Sequence, residues 1–171
     1  MKKSFVFIFV LMFCSANTIY AEEWKTYTDQ TNGFAISYPS DWSVAKPAVN
    51  VIAIMSPREN PSDTFSENVN IVIDKSNARL LSLDEYVDLS LKELEKDAYF
   101  KLVQKGEAAI SGEKAIFLVS TGAGEGKGKS KQYIFGNNSS KYIATYTAPK
   151  DNYNKFLKQA DEIVNSIKLI N

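Results

Sequence analysis

Hydrophobic and polar positions alternate in short runs along most of the chain, a pattern typical of strands that bury one face. In the clearest run, Phe34, Ile36 and Tyr38 alternate with smaller residues. Pro39 follows, and because proline has no N–H to give to a strand ladder, we expect it to end the strand at the second position of a tight turn. Trp42 comes soon after the turn, and we predict that its side chain folds back into the core.

Further runs of the same kind predict the other strands, and clusters of glycine, proline and asparagine separate them. Together with the first run, the predicted strands are residues 24–28, 33–38, 51–56, 68–74, 100–110, 114–121, 131–135 and 141–147. Most of the connections between them are short, which favours antiparallel pairing over βαβ crossovers.

Two segments have helical periodicity instead. Ser82 is a good N-cap for the first, and Glu85 three residues later completes a capping box. The apolar face of this helix consists of Leu83, Tyr86, Val87, Leu91 and Leu94. The second helix is expected to start near Pro149. Its apolar face consists of Tyr153, Phe156, Leu157, Ala160, Ile163, Val164 and Ile167.

Several predicted strands carry apolar residues on both faces, as at residues 51–55, 133–135 and 142–146. A sheet with one face in water would not have this pattern, whereas two amphipathic helices can cover both faces. The sequence therefore predicts an α+β fold in which an antiparallel sheet of about six to seven strands is sandwiched between helices.

The N-terminal segment is predicted to be a signal peptide spanning residues 1–21. Lys2 and Lys3 precede an apolar run that is too short to span a bilayer, and Ala21 is a small residue at a plausible cleavage point. Cleavage after Ala16 is the alternative. Lipidation of Cys14 is a further alternative, although Phe13 occupies the position where a lipobox needs a small residue. Residues 22–171 then form a single exported domain, periplasmic or secreted.

Charge and composition exclude several function classes. The chain has 20 basic and 20 acidic residues, and loss of Lys2 and Lys3 leaves a net charge of −2. This balance argues against nucleic acid and against an electrostatic membrane anchor, and no later stretch is apolar enough to span a membrane. The sequence contains no histidine, which removes the commonest general base and metal ligand. We predict no catalytic residues, no cofactor and no metal.

An ordered set of motifs resembles the PsbP-like domain, the family of the extrinsic PsbP subunit of photosystem II. It opens with Tyr27-x-Asp29 and continues with Gly33-Phe34-x-Ile36-x-Tyr38-Pro39-x-x-Trp42. Further matches are Ser56-Pro57 and residues 67–73, 81–86, 111–115 and 142–148. The resemblance implies an antiparallel sheet between helices and an accessory role, in photosystem II if the source is a phototroph. In the family, metal binding is associated with histidine and acidic residues, and because this chain has no histidine, that property cannot be carried over to it.

Residues 123–130 satisfy a loose Walker A pattern, which raises the alternative of a phosphate- or nucleotide-binding enzyme. Such a loop needs a helix after it, whereas the residues that follow are predicted to form a strand. Four aromatic residues on paired strands suggest either cross-strand packing or, if the face is only partly covered, a binding patch. They are Tyr133, Phe135, Tyr142 and Tyr146. A carrier of a small apolar ligand, held between sheet and helix, is the remaining alternative.

Acidic residues offer weaker candidates. Asp84, Glu85 and Asp88 are expected to favour the start of a helix. Asp63 and Glu67 are expected to be solvated loop charges, since their spacing matches no calcium loop.

Three lysines are the predicted partner contact. Lys127, Lys129 and Lys131 place positive charge beside a glycine-rich loop in a slightly acidic protein. We predict that they form the basic tip of a hairpin and contact an acidic protein partner in the cell envelope. The protein is thus expected to be a monomeric, non-catalytic binding or accessory module.

Overall fold

The computed structural model describes residues 23–47, 51–76, 81–122, 127–136 and 139–170. The predicted signal peptide and Cys14 lie outside the described residues. So do residues 123–126 of the Walker-like segment.

The described ranges form helices and strands in an order that agrees with the predicted one. The strands are β1 (Trp24–Asp29), β2 (Phe34–Pro39), β3 (Ser43–Ala45), β4 (Ile52–Met55), β5 (Asn68–Asp74), β6 (Lys101–Ile110), β7 (Glu113–Thr121), β8 (Gly128–Gly136), β9 (Lys141–Pro149) and β10 (Lys168–Leu169). The helices are α1 (Leu83–Leu94), between β5 and β6, and α2 (Tyr153–Asn165), between β9 and β10.

The strands form two sheets in the described part of the chain. The large sheet has seven strands in the order β3-β4-β5-β9-β8-β7-β6, and the small sheet has the order β1-β2-β10. Every pairing is antiparallel. The predicted α+β class and antiparallel sheet are thus confirmed, whereas the separate small sheet was not predicted.

The helices lie on opposite faces of the large sheet. α1 packs Tyr86 and Val87 against Ile116, Leu118 and Ile134. The other face of the sheet packs against α2 and the small sheet, and these elements share one core. Members of that core from β2, α2 and the large sheet include Phe34, Ile36, Ala160, Ile163, Ile71, Phe135 and Tyr146.

The predicted capping box of α1 is confirmed. The Ser82 hydroxyl accepts a hydrogen bond from the backbone N–H of Glu85 at 3.3 Å, and the Glu85 carboxylate accepts one from the N–H of Ser82 at 2.8 Å. The side-chain and backbone hydrogen bonds from Ser82 hold the pKa of Glu85 below its ordinary value.

We expect Ser82→Ala to lower the free energy of unfolding by about 0.5–2 kcal/mol, because the first turn of α1 loses its cap. Urea denaturation measures the difference. Ser90→Ala is the matched control, since the Ser90 hydroxyl only bonds back to the Tyr86 carbonyl within the helix. Equal losses in the two variants would contradict the capping role.

The turn after β2 lies one residue later than predicted. Pro39 remains in β2, opposite Trp24, and the N–H of Trp42 donates to the Pro39 carbonyl at 3.0 Å. β10 pairs only with Ala35 and Phe34, so within the described residues no strand flanks Pro39 on the side away from β1. The missing proline N–H is tolerated for this reason.

Pro149 was predicted to start the last helix and instead ends β9. Asn152 occupies the N-cap of α2 without a capping bond from its side chain. That side chain donates to Glu67 at 3.4 Å, so it is used in a contact between elements.

The aromatic residues of β8 and β9 are packed in the core, and the alternative of an exposed binding patch is wrong. Phe135 stacks on Tyr142, its partner in the strand register, with ring centroids 5.6 Å apart. Tyr133 and Tyr146 are buried as well. The Tyr146 hydroxyl donates to the Tyr153 carbonyl at 3.0 Å, which ties β9 to the first turn of α2.

Candidate functional site

The three predicted contact lysines lie along one strand and the turn before it. Lys127 is exposed in the turn that precedes β8, and Lys129 and Lys131 lie within β8. Side chains of alternate strand residues point to the same face. Lys129 and Lys131 thus share the face of Tyr133, which is the face that packs against α2.

Lys131 has a carboxylate partner. Its ammonium group lies 2.9 and 2.8 Å from the two carboxylate oxygens of Asp161 on α2. The Tyr133 hydroxyl donates to the same carboxylate at 3.0 Å. Because the Lys131 and Asp161 side chains are only 16% and 29% exposed, the charge of Lys131 is largely compensated inside the protein. The expectation that all three lysines form a hairpin tip is therefore wrong for Lys131.

Lys129 is held differently. Its ammonium group lies 4.1 Å from the centroid of the Tyr153 ring, which is cation–π geometry. No hydrogen bond or ion pair of its side chain is seen among the described residues, so its positive charge is available at the surface.

Lys127 is exposed, and its backbone carbonyl accepts a hydrogen bond from the N–H of Lys150 at 3.2 Å.

These side chains line a groove between α2 and one end of the large sheet, here named the lysine groove. Its lining residues are Val103, Gln104, Phe117, Val119, Lys129, Lys131, Tyr153, Asn154 and Leu157. The volume is about 240 Å³. Apolar and aromatic groups form much of its wall, and Lys129 supplies a cation. This combination suits a ligand segment that carries both an apolar and an acidic side chain.

Gly106 on β6 allows the groove wall to form. A Cβ atom at this position would lie 2.6 Å from two atoms of the Phe117 ring. The ring therefore lies directly over the glycine, as an aromatic side chain does when it covers a gap in a strand. Sequence reasoning missed this contact, although a glycine inside a strand pattern is the usual sign of a close approach.

The phenols at the groove are poor candidates for acid–base chemistry. Burial, followed by the charge of Asp161 and its hydrogen bond, raises the pKa of Tyr133 far above its ordinary value. Burial and the Asp161 charge raise the pKa of Tyr153 to about 12. Both groups are neutral at physiological pH, so neither acts as a general base there.

The Walker-like segment lacks the element that phosphate binding requires. Lys127 lies in a turn, and the residues from Gly128 onward form β8, not a helix. The Ser130 hydroxyl pairs with that of Ser120 at 3.0 Å across β7 and β8. The described part of this segment therefore presents no helix N-terminus to a phosphate.

One of the two acids of the 57–67 loop differs from expectation. Glu67 was predicted to be solvated but is only 1% exposed, and it accepts a hydrogen bond from the Ser56 hydroxyl at 3.0 Å. Asp63 accepts the backbone N–H groups of Glu59 and Phe65, which lower its pKa. Among the residues that the structure describes, no three acidic or cysteine side chains gather where a metal ion would bind.

A second hollow lies beside the C-terminal end of α1. Leu94, Phe100 and Leu118 give it apolar walls, and Ser120 and Gln132 are among its polar lining. Its volume of about 140 Å³ is below the roughly 300–1,000 Å³ of typical small-molecule sites. This hollow gives little support to the carrier alternative.

None of the described helices has the length and apolar character needed to cross a membrane.

Comparison with known proteins places the chain in a family. A family model described as "PsbP-like protein" matches residues 15–169. No curated protein matches the chain significantly.

Solved structures with similar folds include three bacterial proteins. Cyanobacterial PsbP (CyanoP) from Synechocystis is 14% identical with a TM-score of 0.63, and the match covers 91% of this chain and 97% of that one. PA94 of Pseudomonas aeruginosa, a protein of unknown function, is 18% identical with a TM-score of 0.60, covering 84% and 94%. LpqN of Mycobacterium tuberculosis is 13% identical with a TM-score of 0.61, covering 87% and 91%. These identities are low, so the three likenesses concern the fold, whereas the family model spans most of the sequence. The chain therefore belongs to the PsbP-like family.

Proposed function

We propose that this PsbP-like chain is an exported, non-catalytic accessory protein that binds a protein partner of the cell envelope through the lysine groove. The observation that carries the proposal is the position of Lys129. Its cation is held on the Tyr153 ring at the edge of the lysine groove, beside the apolar side chains of the wall, with no carboxylate partner among the described residues. A charge held in a fixed position next to apolar surface is suited to recognition.

The three lysines have different roles in this proposal. Lys127 and Lys129 provide the positive charge that attracts an acidic partner. Lys131 forms an ion pair with Asp161, and this pair fixes β8 against α2 so that the groove keeps its shape. We therefore expect Lys131 to act on binding mainly by positioning the groove.

Two further observations support export and an accessory role. The N-terminal sequence has the features of a secretory signal, and the solved relative LpqN is described as involved in cell envelope biogenesis. The lack of histidine and the neutral phenols at the groove support a non-catalytic role. If the source is a phototroph, photosystem II is the first partner to test.

The test is affinity capture from the envelope fraction of the source organism, with captured proteins quantified by mass spectrometry. We expect Lys127→Ser/Lys129→Ser to lose a partner that the parent retains, with the largest difference at low salt because screening weakens exposed charges. Lys92→Ser/Lys96→Ser is the matched control, since it removes the same charge from exposed positions on or beside α1. A partner that all three proteins capture equally at low salt would refute the lysine groove as the contact.

Nucleotide binding is tested on the same proteins. We expect ATP to leave the melting temperature of the parent and of Lys127→Ser/Lys129→Ser unchanged, because β8 follows the Walker-like segment directly. Stabilisation of the parent alone would establish the rejected phosphate site.

A further inference from the structure

β6 is a long strand at the edge of the large sheet. It pairs with β7 on one side, and on its other side the described residues provide no strand. The opposite edge of the sheet is β3, which has only three residues, whereas β6 has ten. A strand edge of this length presents a row of unpaired backbone groups to another chain.

A bulge limits which part of this edge is regular. The register with β7 shifts between Leu102 and Gln104, so Val103 is the extra residue, and it is 58% exposed. A bulge bends a strand and interrupts further pairing there. From Gln104 to Ile110 the register with β7 runs without a shift.

The regular part of β6 carries two opposite charges on one face. The ammonium group of Lys105 lies 2.9 Å from a carboxylate oxygen of Asp88 on α1. A carboxylate oxygen of Glu107 lies 3.0 Å from the ammonium group of Lys114. Both side chains are on the α1 face of the sheet. These ion pairs are largely exposed and contribute little to stability. Both charges therefore remain available to a neighbouring strand.

Symmetry selects one register for pairing with a second copy. Consider a twofold axis perpendicular to the sheet that passes through one residue position of β6. A residue a given number of positions before the axis in one copy then pairs with the residue the same number of positions after the axis in the other copy. An axis at Lys105 or at Glu107 places like charges opposite each other. An axis at Gly106 places Lys105 of each copy opposite Glu107 of the other, so both cross-strand pairs are attractive. Axes nearer the N-terminus meet the bulge, and an axis at Ala108 leaves both charges unpaired.

The residues around this axis are small where close approach is needed. Gly106 lies on the axis, and Ala108 follows it on the same face. The Phe117 ring lies over Gly106, so the symmetry brings the two Phe117 rings together across the axis. Apolar contact thus lies on the α2 face and charge pairing on the α1 face.

We propose that the protein forms a homodimer in which β6 pairs antiparallel with β6 of a second copy about Gly106, so that the two large sheets become one. This differs from the monomer expected from the sequence. The dimer does not rest on the proposed function, although Phe117 lines the lysine groove and also lies at the dimer axis. The dimer places both lysine grooves on the same side of the joined sheet. A partner with two acidic segments would then engage both copies.

Charge reversal tests this register without any other ligand. Analytical ultracentrifugation should find the parent dimeric, and Lys105→Glu and Glu107→Lys should each weaken the dimer by roughly tenfold or more, since each turns both attractive pairs into like-charge pairs. An equimolar mixture of the two variants should form a heterodimer. In that heterodimer every Glu faces a Lys, as it does in the Lys105→Glu/Glu107→Lys double variant.

Circular dichroism verifies that each variant folds, and Lys96→Glu is the control for charge reversal away from β6. The control should dimerise like the parent. The proposal is overturned if the parent remains monomeric up to millimolar concentration, or if either single variant dimerises as well as the parent. It is also overturned if the mixture of the two variants fails to associate.

Discussion

Trp42→Ala is expected to lower the free energy of unfolding by about 3–5 kcal/mol, the usual loss when a buried tryptophan is truncated. The Trp42 side chain is only 4% exposed and contacts the Phe156 ring edge-on, with centroids 6.0 Å apart. The substitution leaves a cavity where the turn after β2 meets α2. Urea denaturation followed by circular dichroism gives the difference, with equal m-values verifying that the two unfolding transitions are comparable.

Phe65→Ala is the matched control for this measurement. It also truncates an aromatic residue, but Phe65 is 38% exposed, and we expect a loss of less than about 1 kcal/mol. If Trp42→Ala costs no more than Phe65→Ala, Trp42 is not an anchor of the core.

Alkaline unfolding is the second large effect. Burial and the hydrogen bond to Asp74 raise the pKa of Tyr86 to about 12, and burial raises that of Tyr153 to about 12. Burial also raises the pKa values of Tyr133 and Tyr146. The folded protein therefore holds these phenol protons more tightly than the unfolded chain does. The stability that the neutral phenols contribute is complete below about pH 10 and is lost as the pH rises toward 12. A shift of this size corresponds to roughly 2–3 kcal/mol for each of Tyr86 and Tyr153.

We expect cooperative unfolding above about pH 10, with tyrosinate absorbance appearing together with the loss of circular dichroism. Tyr86→Phe provides the comparison, because it removes one buried phenol together with its bond to Asp74. Only the parent loses stability through Tyr86 as the pH rises. Between pH 9 and 12, the free energy of unfolding of the parent should therefore fall by roughly 2–3 kcal/mol relative to that of the variant. A difference that stays constant over this range would contradict the raised pKa of Tyr86.

The elements that sequence reasoning located best are those with long, regular patterns. The bounds of β5 agree with the prediction, and both helices were found from their apolar faces. β3 and β10 were missed because strands of three and two residues are too short for alternation to be recognised. β10 exists because its backbone can pair with β2, which is a tertiary requirement that the local sequence does not show.

The candidate site was only partly predictable for the same reason. Alternation along β8 is enough to place Lys129 and Lys131 on one face. The Asp161 partner of Lys131 lies on α2, 30 positions away, and neither segment alone shows that the two meet. Glu67 was mispredicted for the opposite reason. A polar loop with two prolines indicates solvent exposure, but Glu67, directly before β5, packs against Ser56, which directly follows β4.

The small sheet has a consequence for the order in which the chain can fold. β2 needs β10 on one side, and the Ser166 hydroxyl accepts the backbone N–H of Ser37 from 129 positions away. The β1–β2 hairpin therefore leaves the ribosome long before the segments that cover Phe34 and Ile36 are made. Contacts between such distant segments form slowly, because the loop between them must close first. The core around Phe34 and Ile36 can therefore be completed only when the synthesis of the chain is nearly finished.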